Sequence, residues 1–155
     1  MKLIHRLPDA LEVQLQRDAQ LSFIEYYVLA GLSDQPEGRM RMSELAVLVN
    51  AELSRLSHMI SRLEKRGLVG REPDPSNRRY TRAVLTDAGF AYLKDAAPGH
   101  VGHVLDLFID ALSPDELQTL HRYSDKVIAR IDGEREPCPA AYGLRGESDT
   151  EDTTS

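Results

Sequence analysis

Ser54, Arg55, Ser57 and His58 fall within five consecutive positions, and Arg62 follows one helical turn later. These side chains offer hydroxyls, an imidazole and two guanidinium groups. That is a set for hydrogen-bonding to acceptors on a partner, not for breaking bonds. Leu53, Leu56, Ile60 and Leu63, spaced three, four and three, predict an inner helical stripe over about 52–66. The polar set then shares the outer face. A helix with such a face fills the major groove of B-DNA, where each base pair shows its own donor and acceptor pattern. Arg55 is the expected base reader, because its fork matches guanine O6 and N7; one good bidentate pair discriminates by ~1–3 kcal/mol. Ser54, Ser57 and His58 lie in the same N-terminal half, which meets base edges in such motifs. Arg62 is expected on phosphate, which positions without specifying. The alternative for Arg55 is an ordinary solvated arginine.

A net charge of −6 argues against a polyanionic partner only until its distribution is considered. Between Arg39 and Arg82 stand ten Lys or Arg against five Asp or Glu, a local net of +5 that leaves −11 for the rest of the chain. A basic island in an acidic chain is an electrostatic footprint. Its alternative is a solvated charged surface.

The elements that must position this face follow in order. A helix is predicted over 3–20, carrying Leu3, Ile4, Leu7, Leu11 and Leu15, and starting or kinking at Pro8. A second is expected over about 22–33, then a turn at Asp34–Gly38 and a minimal strand at Arg39–Arg41. Ser43 is the expected cap of a third helix to about Val49, and Asn50-Ala51 the turn into the fourth. Gly67 closes the fourth helix, and strands at Leu68–Glu72 and Tyr80–Leu85 enclose a loop bearing Arg78 and Arg79. Thr86 caps a further helix, which Pro98-Gly99 is expected to interrupt. Ser113-Pro114-Asp115-Glu116 has capping-box spacing and starts the last one, with Leu117, Leu120, Val127, Ile128 and Ile131 on one face. The sequence therefore predicts a mainly α fold with a small β-wing, a winged helix-turn-helix flanked by terminal helices. The expected single domain is 1–132, with the winged unit at 39–85; residues 133–155 read as a disordered acidic tail.

Arg62-Leu63-Glu64-Lys65-Arg66-Gly67-Leu68-Val69, Asp74-Pro75 through Arg78-Arg79, and Leu85-Thr86-Asp87-Ala88-Gly89 resemble the DNA-binding core of the MarR family of bacterial transcriptional regulators. The resemblance covers about a third of the chain strongly, and the flanking helices match in length and order. It implies a DNA-binding regulator, a repressor of a palindromic operator, that responds to a ligand. It implies that a wing arginine, Arg78 or Arg79, enters the adjacent minor groove while Asp74 braces the loop by an ion pair. In the alternative, both arginines pair with acids such as Asp74 and only brace the hairpin. The resemblance also implies a homodimer through the helices at 1–33 and 86–132. Independently, the apolar faces at 3–20 and 113–131 have little else to cover them; the alternative is that they pack on each other within one chain. Finally, it implies a small lipophilic or phenolic ligand near Phe23, Tyr26 and Tyr27, residues that otherwise belong to the core. Two positions depart from the pattern. Glu52 stands where Ser or Thr often caps the recognition helix, and Asn50 where Gly often turns.

Other chemistry is weakly supported. His100 and His103, with Asp106 a turn further, could share a helix face and bind a metal, but two histidines without a third confirmed ligand read as surface or interface residues. No metal site or cofactor is predicted. The single cysteine, Cys138, has no stable basic neighbourhood for redox sensing. A metal- or redox-responsive regulator of the same fold, and a winged-helix protein-interaction module without DNA binding, are the competing readings. No glycine-rich phosphate loop, G-x-S-x-G, HExxH or paired cysteines occur, so no enzyme is expected. No stretch of eighteen apolar residues or signal peptide is read either, which points to a cytoplasmic protein with no membrane partner.

Overall fold

The computed structural model describes residues 2–133. The expected tail, with Cys138, lies outside the described residues beyond Gly133. The order is α1 (Lys2–Ala19), α2 (Phe23–Ser33), β1 (Arg39–Arg41), α3 (Met42–Leu48), α4 (Leu53–Lys65), β2 (Val69–Pro73), β3 (Thr81–Leu85), α5 (Asp87–Val104) and α6 (Pro114–Asp132). This is the expected mainly α architecture with a small wing. The three strands form one antiparallel sheet in the order β1-β3-β2. The early strand thus pairs with the returning arm of the hairpin, placing Arg41 opposite Arg82.

The core gathers where α2, α3 and α4 meet the sheet. Leu15, Leu21, Val28, Leu29, Leu32, Leu45, Leu56, Ile60, Leu63 and Ala83 are inaccessible to solvent. Asn50 turns the chain between α3 and α4 at φ 49°, a left-handed conformation that asparagine tolerates. Gly67 ends α4 at φ 73°, which glycine adopts without steric cost. Ser22 and Ser113 each form a full capping box, with Glu25 and Glu116. Among the described residues, no helix is long and apolar enough to cross a membrane.

Three local expectations are corrected and one is narrowed. α1 runs from Lys2 with Pro8 inside it, which excludes a helix start at Pro8. The ring removes a hydrogen bond to Ile4, which is exposed, so water can satisfy that carbonyl. α5 likewise continues through Pro98-Gly99, because Pro98 and Lys94, four residues before it, both face solvent. Regular α bonding gives way further on, at Leu105–Ile109, where the amide of Asp110 bonds the carbonyl of Leu105 at 2.8 Å. α3 begins at Met42, not after Ser43; the Glu44 carboxylate accepts from the Arg41 amide at 3.4 Å. Leu53 is 52% exposed, and Met59 takes its place beside Leu56, Ile60 and Leu63. Leu53 lies at the rim of the apolar arc, in the first turn of the helix.

No residue of α6 is buried. Leu120, Tyr123, Val127, Ile128 and Ile131 are exposed, as are Leu3 and Ile4 of α1. The two terminal apolar faces therefore do not cover each other within one chain.

Candidate nucleic-acid interface

α4 presents Ser54, Arg55, Ser57 and His58 to solvent over buried Leu56, Met59 and Ile60. Glu52 caps it through its carbonyl, which accepts from the Leu56 amide at 2.9 Å; its side chain makes no capping bond. Arg62 is tied inward. Its guanidinium meets Glu25 of α2 at 3.1 Å, and Glu25 also accepts from the Ser22 amide at 2.9 Å. Arg62 thus links the recognition helix to the start of α2 while its side chain stays 63% exposed. Beside this pair, Ser54, Arg55 and His58 face Glu12 and Ile24 across a groove of about 620 Å³.

The wing is braced around Asp74, whose side chain is fully inaccessible. It accepts from Arg41 Nε, from Arg82 Nε at 3.1 Å, and from the amide and hydroxyl of Ser76 at 2.8 and 2.6 Å. The Arg41 bond, seconded by Ser76, holds the carboxyl well below the usual carboxylate range. Arg41 also lies over the Tyr80 ring, 5.2 Å from its centre. The hairpin tip is closed by the Asp74 amide on the Tyr80 carbonyl and the Tyr80 amide on the Asn77 carbonyl, both at 2.9 Å.

Asp74 therefore braces by ion pairs, with Arg41 and Arg82 and not with Arg78 or Arg79. The tip arginines are exposed, and among the described residues neither guanidinium has a hydrogen bond or ion pair. Arg41 was not legible as a brace, since only the β1–β3 register brings it to a residue thirty-three positions away.

The basic island now divides. Arg39 pairs with Glu72, Arg41 and Arg82 with Asp74, Arg62 with Glu25, and Arg71 with Glu64. Arg66 donates to the Gln20 carbonyl and the Tyr92 hydroxyl at 2.8 and 2.9 Å, anchoring the end of α4 to α1 and α5. Arg55, Lys65, Arg78 and Arg79 remain without a side-chain partner among the described residues. Three of these four are predicted site residues. Five of the island's structural arginines meet a carboxylate, with Arg41 and Arg82 sharing Asp74; among the described residues its outward cations meet none.

Tyr26 is buried, and Phe23 and Tyr27 pack partly buried against the core. Phe23 and Tyr27 meet in a tilted pair with centroids 4.6 Å apart, and the Tyr26 ring centre lies 4.4 Å from that of His100. Gln14 donates to Asp18 at 3.0 Å, so its amide oxygen faces His100 Nδ1 at 3.2 Å. That arrangement makes Nδ1 the donor. Among the described residues, no group of three or more His, Cys, Asp or Glu is placed to hold a metal. Burial, then the neighbouring His103, pushes the His100 pKa down. The unfolded chain, with histidine near its ordinary ~6.5, takes the proton first. Stability is therefore full above that value and falls as pH drops through it toward the lowered folded pKa. Thermal melts at pH 7.5 and 5.5 should show a lower midpoint at pH 5.5, and His100→Phe should flatten the difference.

The helix-turn-helix with its strand-braced wing defines the class: a winged helix-turn-helix protein. The family model described as MarR family matches residues 24–81. The Streptomyces coelicolor protein Sco3205, a MarR family transcriptional regulator solved in complex with DNA, superposes with a TM-score of 0.84 at 38% identity, covering 88% of this chain and 89% of that one. The transcriptional regulator HosA of Escherichia coli O111:H- is 33% identical over 126 residues, 80% of this chain and 82% of HosA. The transcriptional repressor MprA of Escherichia coli K12 is 26% identical over 107 residues, and that match spans only 60% of MprA. The chain belongs to the MarR family of transcriptional regulators.

Proposed function

We propose that this chain is a sequence-specific DNA-binding repressor that acts in the cytoplasm as a homodimer on a palindromic operator. One observation carries the reading. Among the described residues, Arg55 on α4 and Arg78 and Arg79 on the wing are the island's exposed arginines without a partner, while Arg41, Arg62, Arg71 and Arg82 are ion-paired within the fold. Such a division suits a surface that meets phosphate and base edges while its scaffold stays rigid. The relative Sco3205, solved with DNA, supports the same use of the fold.

Arg55 reads a base from the major groove, with Ser54, Ser57 and His58 beside it. Arg78 or Arg79 enters the adjacent minor groove, and Asp74 holds the loop without touching DNA. Arg62 positions the helix against Glu25 and meets phosphate with its exposed side. The apolar faces of α1 and α6 are covered by a second copy, which sets two recognition helices on one operator. A small lipophilic or phenolic ligand near Phe23, Tyr26 and Tyr27, where α2 meets α5, releases DNA by favouring a spacing of the two helices that does not fit it.

Selection of bound duplexes from a random pool tests this. The wild type should return an inverted repeat whose half-sites lie about one helical turn apart, ~34–36 Å. Arg55→Ala should return the same spacing with one base position relaxed. An unenriched pool would defeat the sequence-specific reading. Equal weakening on every sequence by Arg55→Ala would place that side chain on phosphate instead.

A further inference from the structure

Arg71 belongs to β2, yet its guanidinium lies against the recognition helix. Nη1 donates to Glu64 at 2.7 Å and to Ser61 Oγ at 3.2 Å. Nη2 donates to the Ser57 carbonyl at 2.7 Å, and to the hydroxyls of Ser57 and Ser61 at 3.3 and 3.2 Å. Ser57, Ser61 and Glu64 stand at i, i+4 and i+7, one continuous face of α4. One planar fork therefore bridges about two turns of the recognition helix from the first strand of the wing. Across the ladder, Arg71 stands opposite Ala83 on β3, and Ala83 is fully buried. The hairpin is thus held at two separate points, by Asp74 on the side of β1 and by Arg71 on the side of α4.

We propose that Arg71 is a positioning residue, a clamp that fixes the wing to the recognition helix so that both meet DNA as one rigid unit. For its consequence on DNA, though not for its geometry, this rests on the DNA-binding reading above. Two separate elements that must fit two adjacent grooves lose affinity when their relative position is free, because that freedom is given up on binding. The clamp also sets the polarity of Ser57. Its hydroxyl oxygen already accepts from Arg71, and the Ser61 hydroxyl is occupied by donating to the Ser57 carbonyl at 3.0 Å. Ser57 is left with its own hydrogen to offer outward, which suits a phosphate oxygen or the O6 and N7 of guanine.

The test combines hydrogen exchange on the free protein with a mutant cycle on DNA. Arg71→Met removes the fork and keeps the apolar stem. Arg71→Lys keeps the charge and its reach to Glu64 but not the simultaneous bonds to both serines. In the free protein, both variants should exchange amides of β2 and β3 about tenfold faster while α1 and α2 stay unchanged. Against a duplex selected by the wild type, both should bind about tenfold more weakly when Arg78 and Arg79 are present, and only about threefold more weakly than their parent when both are alanine, the remainder being the contact of Ser57. Unchanged exchange in the wing would overturn the clamp whatever the DNA result. So would wild-type affinity in Arg71→Lys, or the same loss in both backgrounds. If the wild type shifts no duplex, the DNA-binding reading fails, and the exchange comparison still decides the clamp.

Discussion

Replacing Arg78 and Arg79 together by alanine is expected to lower affinity for duplex DNA about 100-fold near physiological salt, with charge-assisted contacts contributing ~1.5–3 kcal/mol each. The size follows from where these side chains stand. They occupy the tip of a hairpin held by Asp74, and among the described residues their guanidinium groups have no partner to lose. Each contact removed also leaves counterions undisturbed, so the dependence of log K on log salt should flatten by about 0.9 per lost phosphate contact. Folding should be almost untouched, since exposed substitutions of this kind stay within about 0.5 kcal/mol. Anisotropy titrations at several salt concentrations, beside thermal melts of the same variant, separate the two quantities. A variant that binds normally would show that the wing does not reach DNA.

The second large effect is on stability. Gly89→Ala is expected to destabilise the fold by about 3 kcal/mol, since forcing extra volume into a packed site costs ~1–3 kcal/mol or more. A Cβ at Gly89 would lie 2.0 Å from the Leu68 carbonyl oxygen and 2.8 Å from Leu85 Cδ1. The oxygen cannot yield cheaply, because it accepts the Thr86 amide at 3.2 Å where β3 passes into α5. Thr86 in turn caps α5 by accepting from the Gly89 amide at 2.9 Å. The end of the recognition unit and the start of α5 are thus packed backbone to backbone at this glycine. Circular dichroism melts should show the midpoint lowered by roughly 10 °C. An unchanged midpoint would mean that the two elements separate easily there.

Much of this was legible from local chemistry. Thr86 and Ser113 cap the helices they precede, because a cap needs only its own side chain and the next turn. Gly67 and Asn50 turn where their permitted backbone angles allow. The outward face of α4 followed from the spacing of Leu53, Leu56, Ile60 and Leu63, although Leu53 itself is exposed. What sequence could not carry was pairing across distance. Arg41, Arg62, Arg66 and Arg71 look like any other members of a basic island until the fold brings them to Asp74, Glu25, Tyr92 and Glu64. A charge count treats all ten basic residues alike; only the contacts separate those that hold the scaffold from those left for a partner. The prolines misled for a related reason. A proline inside a helix costs most where the freed carbonyl is buried, and the carbonyls before Pro8 and Pro98 belong to exposed residues.

On the proposed function, the exposed cations of α4 and the wing form one DNA-binding face. Titrating a selected duplex and a scrambled duplex against the full chain between about 50 and 200 mM salt tests it most directly. Such a face should give tight binding to the selected duplex, a fall of at least ~10³-fold in affinity across that range if six or more phosphates are contacted, and weaker, equally salt-sensitive binding to the scrambled one. No binding to either duplex at 50 mM salt, or binding indifferent to salt, would contradict it.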